Sequence, residues 1–175
     1  SGSGDANNYP TESLRNYYKR SSYGKLDIVP EVLGIYHYQG VRSSIDTNNS
    51  HSEVELVQEA FRYFDNQRTD FTRYDSDGDD AVDYPIVFWS GPSGEWSSFW
   101  WGHYGEIGDI NFLLDGKSLG QWSWQWESSN ASTVIHETGH ALGLPDLYDY
   151  DATVGPSGGV GCWDVMQQNS GDHNS

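Results

Sequence analysis

Residues 136 to 149, HETGHALGLPDLYD, constrain this chain more than any other stretch. Two histidines stand four residues apart, with Glu137 beside the first. On an α-helix, positions i and i+4 share one face about a turn apart. His136 and His140 can therefore present two imidazoles to one point. Val134, Ile135, Ala141 and Leu142 flank them and predict a buried helix, and buried histidines need partners. The preceding SSN supplies a cap, and Gly143 followed by Leu144-Pro145 supplies a stop, so the helix is expected over 132–143.

Two imidazoles on one helix face, with a carboxylate at the neighbouring edge, are the His-Glu-x-x-His arrangement of zinc peptidases. The helix gives the metal two nitrogen ligands. Glu137 is not a ligand but comes within reach of water at the metal. Zinc lowers the pKa of such water to near 7, and the glutamate accepts its proton as it attacks a carbonyl.

A catalytic zinc needs a third protein ligand. In one large class it is a glutamate on a downstream helix. No glutamate follows Glu137 here, so the ligand is an Asp or a His, or comes from upstream. Asp146 lies six residues past His140, beyond the helix-breaking Gly143, and a sharp turn there swings it back towards the histidines. The spacing His136-Glu137-x-x-His140-x-x-Gly143-x-x-Asp146 is the metzincin pattern with Asp in place of the third His. Asp149, Asp151, Asp164 and His173 compete for the role. Metzincins also need a methionine turn beneath the metal. The single Met of the chain, Met166, stands in the Gly-rich GGVGCWDVMQQ, which marks it as that residue rather than ordinary core filling.

The remaining sequence reads as the frame for this helix. Residues 1–30 form a polar, Tyr-rich arm with a short helix around Glu12 to Arg20. EVLGIYHYQG, residues 31–40, is a strand candidate. In TNNSHSEVELVQEAFRYFDNQ, Ser50 or Ser52 caps a helix that carries Glu53 and Glu55 in its first turn. Val54, Val57, Phe61 and Phe64 follow helical spacing and predict packing on a sheet. YPIVFWS, residues 84–90, is a short apolar strand, and 91–120 is a Gly-, Trp- and Ser-rich loop region with short strands. QWSWQWE alternates and sets Trp122, Trp124 and Trp126 on one face. The order predicts an α/β (α+β) sandwich: a mixed twisted sheet, a backing helix, the active-site helix and an irregular C-terminal part. Residues 31–175 then form one domain behind the 1–30 arm, within the length of a single domain.

Charge narrows the partners. The 175 residues carry 26 Asp+Glu against 9 Lys+Arg, a formal −17, which argues against nucleic acid and anionic membranes. No apolar run reaches the ~18 residues of a membrane span. One cysteine, Cys162, cannot form an internal disulfide. The opening SGSG reads as a linker, so an export signal is expected to be gone already.

Much of the negative charge clusters. DSDGDDAVD sets Asp75, Asp77, Asp79 and Asp83 at positions 1, 3, 5 and 9 of a calcium-loop template, with the Ala81 carbonyl at position 7. Asp80 replaces the template's glycine, and Ile86 replaces its bidentate glutamate. Aspartate tolerates left-handed backbone better than most residues, and five neighbouring carboxylates repel without a cation. The turn is read as a structural calcium site, with a solvated acidic turn as the alternative. WSSFWWGHY and QWSWQWE offer core or cleft lining. An edge strand at Trp122, Trp124 and Trp126 can pair with a peptide, and His103 is a further candidate for contact with the scissile carbonyl.

HETGHALGLPDLYD, followed by GCWDVM and GDHNS, resembles the immune-inhibitor-A-like metallopeptidases, a secreted bacterial zinc endopeptidase family. DSDGDDAVDYPIVFW and the arm YPTESLRNYYKRSSYGKLDI also resemble its catalytic domain. The resemblance implies a metzincin-like fold and zinc on His136, His140 and Asp146. It implies Glu137 as general base, Met166 in the turn, structural calcium, secretion and a protein or peptide substrate. Family members continue beyond GDHNS, so the chain reads as a fragment, a processed form or one part of a longer product. Two other readings stand beside the enzyme: a calcium-dependent module binding glycan or protein without catalysis, and an inactive fragment of the peptidase fold.

Overall fold

A computed structural model describes residues 13–45, 52–93, 99–106, 111–151, 153–154 and 159–167. Its elements in chain order are α1 (Leu14–Ser21), α2 (Glu53–Asn66), β1 (Ile86–Trp89), β2 (His103–Glu106), β3 (Leu113–Leu114), β4 (Lys117–Ser118), β5 (Gln121–Trp126) and α3 (Ala131–Ala141). This is a mixed α+β chain. It forms two compact units, Val32–Trp126 and a second made of Ser1–Glu31 with Glu127–Ser175.

The Val32–Trp126 unit is built on a three-stranded mixed sheet of order β1-β5-β2. β1 runs parallel to β5, with Val87 opposite Trp124, and β2 runs antiparallel to it, with His103 opposite Trp124. β5 is thus the central strand, not the free edge that the sequence suggested for peptide pairing. Both its ladders are spent on neighbours, so it has no open row of amides to offer. Both its faces are buried as well. Trp122, Trp124 and Trp126 lie on one, and Ser123 and Gln125 are fully buried between them. The three indoles belong to the unit's core with Val57, Phe61, Phe71, Trp89 and Leu114.

The helix α2 supplies Val57 and Phe61 to that core, on the face that the spacing predicts. Ser52 caps it by accepting from the Glu55 amide, while the Glu55 carboxylate accepts from the Ser52 amide. Glu53, in the first turn, is buried and accepts from Trp122 Nε1 at 2.7 Å. β3 and β4 form a two-residue hairpin through Asp115 and Gly116, both at positive φ. That Asp-Gly turn is a direct sequence signal for a hairpin.

Residues 31–40 form no strand. Alternating apolar residues make a strand only where a neighbour completes the ladder, and no neighbour pairs here. Val32 and Ile35 are exposed, and the stretch is held to α2 by side chains instead. Tyr36 donates to the Glu59 carboxylate, and its ring packs 5.4 Å from Tyr63.

In the other unit, Tyr17 and Tyr18 of α1 pack with Ile135 of α3 and with Val165 and Met166. Ser13 caps α1, and Arg15 and Lys19 converge on Asp27. The Arg15 and Lys19 hydrogen bonds hold the Asp27 carboxyl well below the usual carboxylate range.

Candidate metal centre

The helix α3 starts at Asn130, whose side chain accepts from the Thr133 amide at 2.9 Å. Its residues Thr133 to Gly139 are all buried. Burial ends sooner than expected, however, since Leu142 is exposed and serves as the C-cap. The helix closes on a Schellman turn: the Leu144 amide donates to Gly139 O at 2.9 Å and the Gly143 amide to His140 O at 2.8 Å. Gly143 sits at φ +84°, where a side chain is strained.

The turn throws the chain back across the helix face. Asp146 Oδ1 comes to lie 3.1 Å from His136 Nε2 and 3.4 Å from His140 Nε2. The two imidazoles stand edge to face, with centroids 4.8 Å apart. Donor atoms of His136, Glu137 and His140 all lie within 4.8 Å of one another. The structure therefore gathers the residues named from the HETGHALGLPD spacing.

Protons sharpen the chemistry. His136 Nδ1 lies 2.8 Å from Val165 O, and His140 Nδ1 lies 2.9 Å from Leu144 O. A carbonyl oxygen only accepts, so each Nδ1 carries a hydrogen, and in the neutral ring each Nε2 presents a lone pair. Both lone pairs face a carboxylate oxygen that is buried and accepts no hydrogen bond. In that neutral form three electron-rich atoms converge, an arrangement that a bound cation stabilises. Ligands about 2.0–2.1 Å from a tetrahedral zinc stand roughly 3.3 Å apart, close to the 3.1 and 3.4 Å found here. The donor set of two imidazoles and one carboxylate fits that metal.

Met166, which the sequence singled out, is only 1% exposed, while several residues around it escaped the sequence reading. The Met166 amide donates to Asp164 Oδ1 at 2.8 Å, and its carbonyl accepts from the Leu147 amide at 2.9 Å. The neighbouring Val165 carbonyl is the one that fixes the His136 tautomer. Gly139 lies against Met166, where an added Cβ would stand 2.4 Å from Sδ. Tyr18 donates to Ile135 O at 2.7 Å and braces α3 from α1. Tyr150 donates to Asp146 Oδ2 at 2.5 Å. Nothing in the residue types of Tyr18, Gly139, Tyr150 and Val165 marks them, although Tyr148 and Tyr150 are placed two and four residues after Asp146.

Competing candidates find other partners. Asp149 Oδ1 accepts from the Asp151 amide, Asp151 Oδ1 from Thr153, and Asp164 Oδ1 from Met166. His173 lies outside the described residues. In the Val32–Trp126 unit, His103 spends Nδ1 on Trp101 O at 2.8 Å and Nε2 on Glu53 Oε2 at 2.9 Å.

The acidic turn brings Asp75, Asp77 and Asp83 together. Asp80 takes a left-handed φ of 66° in the place of the template glycine. Asp79 spends Oδ1 on the Ala81 amide. A cation is already present on one side: Lys117 Nζ lies 2.7 Å from both Asp75 Oδ2 and Asp80 Oδ1. Its hydrogen bond is the main cause of an Asp75 pKa below the ordinary value.

The segment bearing the candidate metal centre has known counterparts. Residues 111–174 match the catalytic domain of immune inhibitor A peptidase M6. This is the family that the motifs resemble. Across 90% of its length the chain is 28% identical to the pre-pro-metalloprotease PrtV of Vibrio cholerae serotype O1, from strains M66-2 and ATCC 39315 / El Tor Inaba N16961. The chain spans about a fifth, 21%, of the length of those relatives.

Proposed function

We propose that this chain carries the catalytic centre of a zinc-dependent endopeptidase of metzincin type. The observation that carries the reading is the buried Asp146 Oδ1, which faces two histidine lone pairs on the helix that also bears Glu137. His136, His140 and Asp146 hold the zinc, and the turn at Met166 is its methionine turn. The catalytic domain is read as residues 31–175, with α1 of the 1–30 arm packed on α3 in the unit that carries the centre. The match of residues 111–174 to a peptidase catalytic domain supports the same reading.

Bound zinc supplies a Lewis acid that polarises the scissile carbonyl and makes nearby water more acidic. Glu137 accepts the proton of the attacking water as its oxygen bonds to the carbonyl carbon. It then passes that proton to the amide nitrogen as the C–N bond breaks. The donated Nδ1 hydrogens keep both imidazoles in one tautomer, so their Nε2 lone pairs stay available throughout. The substrate is a protein or peptide.

The resemblance supports secretion, and among the described residues no helix is long and apolar enough to cross a membrane. Calcium in the acidic turn is a second proposal, favoured by the convergence of Asp75, Asp77 and Asp83. There Lys117 already neutralises one side, so the ion contributes stability rather than chemistry. Hydrolysis of casein, abolished by a zinc chelator and restored by added Zn²⁺, is the expected result. Casein cleavage that persists after complete removal of metal overturns the reading.

A further inference from the structure

The two oxygens of Asp146 have different work. Oδ1 faces the imidazoles and accepts no hydrogen bond, while Oδ2 accepts from Tyr150 at 2.5 Å. Tyr148 packs against Tyr150, with ring centroids 4.7 Å apart. An aspartate side chain has two torsions, and its carboxylate flips readily between equivalent poses. Here the Tyr150 hydroxyl holds one oxygen, which fixes the plane of the carboxylate and leaves the other facing the imidazoles. Tyr150 is also a costly way to cover surface. The residue is 74% exposed, yet its hydroxyl points at a carboxylate and not only at water. The short loop between Gly143 and Tyr150 thus brings both the ligand and the group that orients it.

Building on the zinc reading above, we propose that Tyr150, backed by Tyr148, is a positioning residue. It locks Asp146 so that Oδ1 alone meets the metal, and so sets how tightly the metal is held. The clamp would lower the cost of ordering the carboxylate when an ion binds. Hydrogen-bonded partners of metal ligands typically change affinity by ~10–100-fold.

The test uses the full chain and Zn²⁺ itself, competed against a chromophoric chelator. Tyr150→Phe is expected to weaken zinc binding by roughly 10–100-fold while the metal-free melting temperature stays at the wild-type value. In the Co²⁺-loaded protein its visible absorption bands are expected to shift. In an Asp146→Asn background the same substitution is expected to add no further loss. Tyr148→Phe, which keeps the ring packed on Tyr150, is expected to give a smaller loss. Zinc binding by Tyr150→Phe equal to wild type, or a loss matched by an equal fall in metal-free stability, overturns the clamp. If the wild-type chain holds no zinc, the zinc reading itself fails, which is a separate result.

Discussion

Asp146 Oδ1 lies 3.1 Å from His136 Nε2, buried and accepting no hydrogen bond. With a neutral imidazole, such a contact between an anionic oxygen and a nitrogen lone pair is unfavourable in a buried setting unless a cation shares it. It also separates Asp146 from its neighbours. Asp149 likewise has a buried oxygen without a hydrogen bond, Oδ2, but no imidazole pairs with it at ion-pair distance among the described residues.

Asp146→Ala is therefore expected to lose zinc far more readily than Asp149→Ala. Metal content after dialysis against a weak chelator measures this directly. Equal retention by the two variants, or the reverse order, moves the third ligand away from Asp146.

Glu137→Gln keeps the size of the side chain but cannot accept a proton. It is expected to retain stoichiometric zinc and to lose ~10²–10⁴-fold in kcat, the usual contribution of a general base. Elemental analysis and peptide turnover, measured on one preparation, decide it. A variant that loses its zinc shows that Glu137 holds the metal instead.

Removing zinc is expected to lower the melting temperature. A ligand present at 100 times its Kd stabilises the folded state by about 2.7 kcal/mol. Scanning calorimetry with and without a chelator reads the difference, and its size should follow the free Zn²⁺ concentration. A melting temperature indifferent to Zn²⁺ contradicts a folded-state site.

The Lys117–Asp75 pair gives stability a pH dependence of known sign. The Asp75 carboxyl is held below its ordinary value, so its contribution is complete above the unfolded value of ~3.9 and fades as pH falls through the folded one. Lys117→Met is expected to lower the urea midpoint at pH 7 and to differ little from wild type near pH 2. A gap that stays constant from pH 7 to pH 2 excludes the ion pair as its source.

Gly139→Ala sets two effects against each other. Alanine favours a helix interior by ~1 kcal/mol over glycine. Yet the new Cβ would stand 2.4 Å from Met166 Sδ, and overpacking costs ~1–3 kcal/mol. The net expectation is a loss of stability, read by urea denaturation, with Gly139→Ala/Met166→Ala recovering part of it.

The legible parts of this chain are those in which local chemistry decides the outcome. The i, i+4 histidines, the glycine stop and the following aspartate are adjacent in sequence, and the Schellman turn needs only a residue tolerant of positive φ at position 143. The capping box at Ser52 and Glu55 is local in the same way. Long-range relations were not legible. Whether β5 is central or at an edge depends on where β1 and β2 pair, and no residue within QWSWQW records that. Residues 31–40 carry a strand's alternation without a strand's partner. The carbonyl that fixes His136 belongs to Val165, 29 residues away, and a backbone oxygen leaves no mark in side-chain pattern. The Asp115-Gly116 hairpin is the opposite case, a signal present in the sequence and passed over.

The middle of α3 is open enough for a sulfur to lie where a methyl group cannot. Converting that thioether to a sulfoxide adds a polar oxygen to a site already filled. Met166 is 1% exposed, so peroxide reaches it only when this part of the fold opens. The rate at which the chain's single methionine is oxidised thus becomes a clock for how often the helix and the turn beneath it come apart.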